Sequence, residues 1–261
     1  MNTSYLSLLI QRQAQKYGER VALKYRDYAT STWIPVSWNQ FSEKVSKVSR
    51  ALVALGVQAQ ENIGVFSQNK PECLYTDFGA FGVRAVTVPL YATSSEAQVH
   101  YILQDAAIRF LFVGEQYQYD VASRVQNLCH TLKRIIVFDS SVKLAPGDTN
   151  SLYYEDFLAL GDNMELQQQV DKLTAESSPQ DLANILYTSG TTGESKGVML
   201  HHSCYEAAFK AHHGRLTTLG EQDVVMNFLP FTHIFERAWS YYCLDHDSRS
   251  EERRVGKECR S

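Results

Sequence analysis

Apolar residues along this chain come in short runs set between stretches of helical periodicity. The runs are Val21–Tyr25, Asn62–Phe66, Arg84–Val88, Ile108–Val113, Arg134–Phe138, Leu182–Thr188 and Val224–Leu229. Each is about the length of a strand and rich in Val, Ile, Leu, Phe or Tyr. The clearest helical stripe is Trp38, Phe41, Val45, Val48, Leu52 and Leu55, which puts one apolar line on one helix face. Ser37 and Gln40 suit a capping box at its start, and Gly56 suits its stop. Pro71–Phe81, Ser94–Ala106 and His201–Leu216 are further predicted helices. Alternation of strand and helix predicts an α/β fold with a doubly wound, mostly parallel sheet flanked by helices. The runs lack strict alternation, as expected of strands covered on both faces. Ser140–Gln180 is the most polar central stretch and reads as a surface excursion with one or two short helices.

Composition narrows the field without changing that picture. The 261 residues are 44% hydrophobic and 21% charged, which excludes a disordered or collagenous chain. A net charge of −4 offers no basic field for nucleic acid. No apolar run spans a bilayer, and the N-terminus lacks the basic start of a signal peptide. Five widely spaced cysteines without a C-x-x-C read as reduced thiols of a cytoplasmic protein. Cys73, Cys129, Cys204 and Cys243 are expected to be small buried hydrophobes.

The chemistry concentrates in Leu182–Val198, LANILYTSGTTGESKGV. A strand runs into a loop of small and hydroxylated residues that ends in a lysine. Gly190, Gly193 and Gly197 allow close approach of backbone to an anion, and successive N–H groups there suit phosphate oxygens. Thr188, Ser189, Thr191 and Thr192 add hydroxyls, and Lys196 adds a compact positive charge. Composition alone fits a flexible surface turn equally well; the position at a strand's end favours a phosphate cradle. Neither G-x-x-x-x-G-K-[ST] nor G-x-G-x-x-G is present. No G-x-S-x-G surrounds a serine, so a hydrolase elbow is also excluded.

Tyr187–Val198, YTSGTTG-x-x-KGV, resembles the signature of the AMP-forming acyl-activating enzymes, with Ser195 where that family usually has proline. VSWNQFSEKVSKVSRALVALGV, ENIGVFSQNKPE and FGVRAVTVPLYATSSEAQVHYILQDAAIRFLFVG resemble the N-terminal part of that family's large domain. Phe228–Leu244, FLPFTHIFERAWSYYCL, resembles its next segment, in the version most similar to bacterial long-chain fatty-acid–CoA ligases. The resemblance runs from about residue 5 to about residue 244.

It implies attack of a fatty-acid carboxylate on the α-phosphate of ATP, then transfer of the acyl group to CoA. By the same resemblance, Thr188, Ser189, Gly190, Thr191, Thr192, Gly193 and Lys196 would hold the phosphates of ATP. Thr188 would also ligate Mg²⁺. Lys196 and His233 would be catalytic, His233 beside the acyl carboxylate and adenylate. Trp239 could line an acyl tunnel, although Trp239, Tyr241 and Tyr242 suit a core better. From the residues alone, His233 reads as a helix-start histidine and Glu236–Arg237 as a surface charge pair. His201-His202 and His212-His213 could share a helix face, as solvated histidines rather than metal ligands. The expected partners are ATP, a long-chain fatty acid and CoA. Peripheral contact at the inner membrane face and a homodimer of the full-length form stay open.

The resemblance also implies parts that do not occur in residues 1–261: an adenine-binding strand, a Tyr-Gly-x-Thr-Glu segment, a ribose-binding aspartate, a hinge and a lysine-bearing C-terminal domain. Residues 1–245 therefore read as a partial AMP-binding large domain. Residues 246–261, HDSRSEERRVGKECRS, carry four acids and five bases and read as a non-family tail, solvated or of foreign origin. No strand is expected in it. This chain alone is expected to be catalytically incomplete, with apolar surface left exposed and a tendency to aggregate.

Overall fold

A computed structural model describes residues 5–27, 30–188, 195–217, 219–220, 223–246 and 249–252, the last four as backbone. A seven-stranded sheet organises most of the chain. Its strands are β3 (Asn62–Phe66), β4 (Val86–Leu90), β5 (Phe110–Val113), β6 (Arg134–Val137), β7 (Ser151–Tyr153), β8 (Leu182–Thr188) and β9 (Lys196–His201). They lie in the order β7-β6-β5-β3-β4-β8-β9. All neighbours are parallel except the β8–β9 hairpin. The strand order turns back at β3, which has β4 on one side and β5 on the other.

Both faces are covered, so the sheet is doubly wound, as the sequence predicts. On one face pack α1 (Tyr5–Tyr17), α2 (Trp38–Ala54), α3 (Pro71–Gly82), α6 (Tyr154–Leu160), α7 (Gln167–Ala175), α8 (His202–His213) and α9 (Ile234–Asp245). On the other pack α4 (Glu96–Asp105) and α5 (Gln116–Gln126). The apolar stripe on α2 meets α3 so closely that a Cβ at Gly79 would run into Val48. Ser37 and Gln40 form the expected capping box. Gly56, at φ +75°, turns the chain out of the helix with bonds to Val53 and Leu52 carbonyls from Gly56 and Val57.

A second, four-stranded sheet has the order β10-β11-β1-β2, from β10 (Val224–Asn227), β11 (Arg249–Glu252), β1 (Val21–Asp27) and β2 (Thr32–Ser37). Strand β11 is parallel to both its neighbours. The sequence predicts no strand there, because Arg-Ser-Glu-Glu has no apolar face. Pairing on both sides satisfies its backbone groups regardless of side-chain hydrophobicity. The polar stretch 140–180 holds two short helices, α6 and α7, and the short strand β7; Phe157 and Val170 tie its helices to the main core.

Among the expected small buried hydrophobes, Cys73, Cys129 and Cys243 are buried but Cys204 is exposed. It lies on α8, whose buried residues are His202, Tyr205 and Phe209. No helix of the described residues is long and apolar enough to cross a membrane.

Candidate nucleotide and acyl site

Strand β8 brings Thr188 to the carboxyl end of the sheet, and the hairpin returns with Lys196 in register opposite Thr188. Both side chains are exposed. A hydroxyl and an ammonium therefore flank the mouth of the loop at the end of the sheet where ligands bind in open α/β folds. Ser189, Gly190, Thr191, Thr192 and Gly193 lie outside the described residues.

The base of the hairpin is braced from α4. The Tyr101 hydroxyl donates to the Ser195 carbonyl at 3.0 Å, which anchors the start of β9. The Tyr187 hydroxyl donates to Asp105 at 2.5 Å. Burial and this carboxylate push the Tyr187 phenol well up from its ordinary value. Beneath the loop, Asn184 is fully buried in an otherwise apolar run. Its amide donates to Thr87 at 2.5 Å and its carbonyl accepts from the Tyr205 hydroxyl at 2.7 Å. That chain of bonds ties β8 to β4 and α8, as a buried amide requires.

His233 is the N-cap of α9, with its Nδ1 accepting from Phe235 N at 3.2 Å. The side chain is exposed. Both expectations for His233 are thus compatible, since a helix-start histidine that uses Nδ1 keeps Nε2 available to a ligand. Among the described residues no hydrogen bond or ion pair joins His233 to Thr188 or Lys196. The segment leading to it is held by side chains from elsewhere. Asn69, just after β3, donates from Nδ2 to the Leu229 carbonyl at 2.7 Å and accepts from Phe231 N at 2.9 Å. Arg237 Nε donates to the Phe231 carbonyl at 3.0 Å. A cavity of about 190 Å³ lies between the turns after β3 and β4 and the Pro230–Thr232 segment.

Glu236 and Arg237 are not a surface pair. They are 2% and 1% exposed. The Arg237 guanidinium bonds Asp77 of α3 and the Tyr241 hydroxyl, and the Tyr241 hydroxyl donates to the same Asp77 oxygen. The partner that buries Arg237 is 160 residues away, so spacing within α9 carried no signal of it. Glu236 takes the Leu229 N–H, and burial pushes its carboxyl up to about 7. Asn69 and Asp77 were not predicted as functional; a polar residue just after a strand and an acid inside an apolar helix were the only signals.

Trp239 is partly buried against the main core, 5.7 Å from the ring of Tyr242. The paired histidines divide: His202 is buried against Phe81, whereas His212 and His213 lie against Tyr242. Burial pulls His202 down to about 4.

An anionic nucleotide fits the donor set at the hairpin mouth. Among the described residues no group of three or more His, Cys, Asp or Glu could hold a metal ion. The exposed Thr188 hydroxyl at the hairpin mouth is compatible with a hard cation that takes most of its ligands from phosphate oxygens and water.

The family described as AMP-binding enzyme matches residues 10–248. The long-chain-fatty-acid–CoA ligase ACSBG2 of Xenopus laevis is 29% identical over 229 residues, 87% of this chain and 30% of that protein. FadD15 of Mycobacterium tuberculosis, named as a ligase of the same kind, is 30% identical over 219 residues, 83% of this chain and 35% of that protein. The anthranilate CoA ligase AuaEII, solved with anthranoyl-AMP, shares the fold at TM-score 0.83 and 20% identity, over 98% of this chain and 46% of that one. The N-terminal domain of FACL13 from Mycobacterium tuberculosis does so at TM-score 0.75 and 17% identity, over 98% and 58%. The chain spans about a third of the length of the curated relatives it matches.

Proposed function

The chain belongs to the AMP-binding enzyme family, and on that premise we propose that it forms the N-terminal, phosphate-binding part of a long-chain fatty-acid–CoA ligase. The observation that carries the proposal is the register of Thr188 against Lys196 at the mouth of the β8–β9 hairpin. In the reaction, a fatty-acid carboxylate oxygen attacks the α-phosphorus of ATP and pyrophosphate departs. The thiol of CoA then attacks the acyl carbonyl, and AMP leaves. Thr188 and Lys196, with the intervening Ser189, Gly190, Thr191, Thr192 and Gly193, bind the ATP phosphates and neutralise charge on the departing pyrophosphate. Mg²⁺, when bound, supplies further neutralisation, with the Thr188 hydroxyl as its protein ligand. His233 Nε2–H donates toward the acyl carboxylate and the adenylate.

ATP–pyrophosphate exchange driven by palmitate tests the reaction in a full-length protein containing this sequence. Exchange with acetate or amino acids alone would overturn the fatty-acyl assignment and favour another adenylate-forming enzyme, such as a peptide-synthetase adenylation domain. For the 261-residue chain by itself the second reading is a nucleotide- or acyl-binding unit, supported by the exposed Thr188–Lys196 pair at the hairpin mouth. Saturable ATP binding without exchange is its expected signature.

A further inference from the structure

We infer that Asn69 is a positioning residue for the segment that carries His233. The inference rests on the proposed role of His233 and deepens it.

Leu229, Pro230 and Phe231 belong to neither a strand nor a helix, and Pro230 has no N–H. The backbone groups on either side of Pro230 therefore have no ladder to enter. Side chains take them instead. Asn69 binds the Leu229 carbonyl and the Phe231 N–H with the two ends of one amide. Glu236 takes the Leu229 N–H, and Arg237 takes the Phe231 carbonyl. The Pro230 carbonyl accepts from His233 N at 2.9 Å and closes the turn into α9. Glu236 and Arg237 belong to the same helix as the cap and move with it. Asn69 alone among the three reaches in from the end of β3.

That end is where the strand order turns back, with β4 to one side and β5 to the other. A crevice at such a turn is the usual ligand position of an open parallel sheet. Asn69 lines the cavity there together with Thr93, Pro230 and Thr232. One amide thus sets the distance between the sheet's ligand-binding edge and the histidine segment. With Nδ1 accepting from Phe235 N, the neutral ring carries its proton on Nε2. The position of the segment therefore decides both where the imidazole sits and which nitrogen donates.

Nuclear magnetic resonance of the labelled chain tests this without nucleotide. In the wild type, the Asn69 side-chain amide protons are expected to exchange at least ~10-fold more slowly than those of exposed Asn163, and the neutral His233 ring to carry its proton on Nε2. In Asn69→Ala, exchange at Phe231 N–H is expected to rise at least ~10-fold relative to Phe112 in β5, with a mixed His233 tautomer. Equal rates for the Asn69 and Asn163 amides overturn the inference without any variant. So does an Asn69→Ala chain in which exchange rises equally at Phe231 and Phe112, or in which the tautomer is unchanged. Failure of ATP binding would sink the proposed function and leave these readouts unaffected.

Discussion

Arg237 of α9 and Asp77 of α3 form an ion pair across 160 residues of chain, with both side chains 1% exposed. The Tyr241 hydroxyl donates to the same Asp77 oxygen, and the Phe231 ring lies 4.2 Å from the guanidinium carbon. The pair joins the helix that begins at His233 to the helix that follows β3. Removing one partner leaves the other charge buried and uncompensated. Arg237→Ala and Asp77→Ala are each expected to cost about 3–5 kcal/mol. The double variant Asp77→Leu/Arg237→Met is expected to cost clearly less than the two single changes combined. Urea midpoints at constant m-value measure all three. Additive losses would show that the two charges are not coupled.

Lys196 carries the binding prediction. Its side chain is exposed and takes no part in the core. Lys196→Ala should therefore leave the urea midpoint within about 0.5 kcal/mol of wild type. ATP affinity should fall at least ~10-fold, the usual scale for losing a charge-assisted contact. Equilibrium dialysis with labelled ATP distinguishes this from a lysine that only solvates the loop.

Glu236 predicts a loss of stability on the alkaline side. Its folded value lies near 7, above the ordinary carboxylate value of 4.5, because burial favours the neutral acid. The folded state holds that proton between about 4.5 and 7 while the unfolded state has lost it. The contribution is present below 4.5 and lost as pH rises through 7. Glu236→Gln should reduce the fall in stability between pH 5 and pH 8 by on the order of 2 kcal/mol. Identical pH profiles for variant and wild type would refute this.

His202 predicts the opposite slope. Burial holds its ring neutral down to about 4, whereas the ordinary value is 6.5. Its contribution is present above 6.5 and lost as pH falls through 4. His202→Phe keeps a ring against Phe81 and removes the titration, so it should flatten the acid limb of a thermal melt series. With Glu236 acting from the other side, the wild-type optimum is expected between about pH 5 and pH 7.

The buried strands were legible because strands covered on both faces are written as apolar runs. Ile63 to Phe66 and Phe110 to Val113 need no partner to be recognised. Helix α2 announced itself through its stripe and both its ends. Strand β2 was missed because it lies at an edge, contains Pro35 and leaves Trp33 exposed. Strand β9 was missed because Lys196 to Met199 are exposed and the first of them reads as loop chemistry. Helix α5, QYQYDVASRVQ, is too polar for its apolar face to stand out. At the site, Thr188 and Lys196 were legible because loop chemistry is local. Asn69 and Asp77 were not, because each acquires its meaning from a partner about 160 residues later.

The two sheets differ in when they can be completed during synthesis. Every strand of the larger one lies between Asn62 and His201, a continuous span. The smaller one joins β1 and β2, near the start of the described residues, to β10 and β11, which follow every strand of the larger sheet. Strand β1 pairs with β2 at once but has an open edge until Arg249–Glu252 arrives. The nascent chain thus forms its ligand-bearing hairpin before its N-terminal hairpin is sealed. Closure of the smaller sheet therefore follows completion of the larger one, and its rate is set by loop closure over more than two hundred residues.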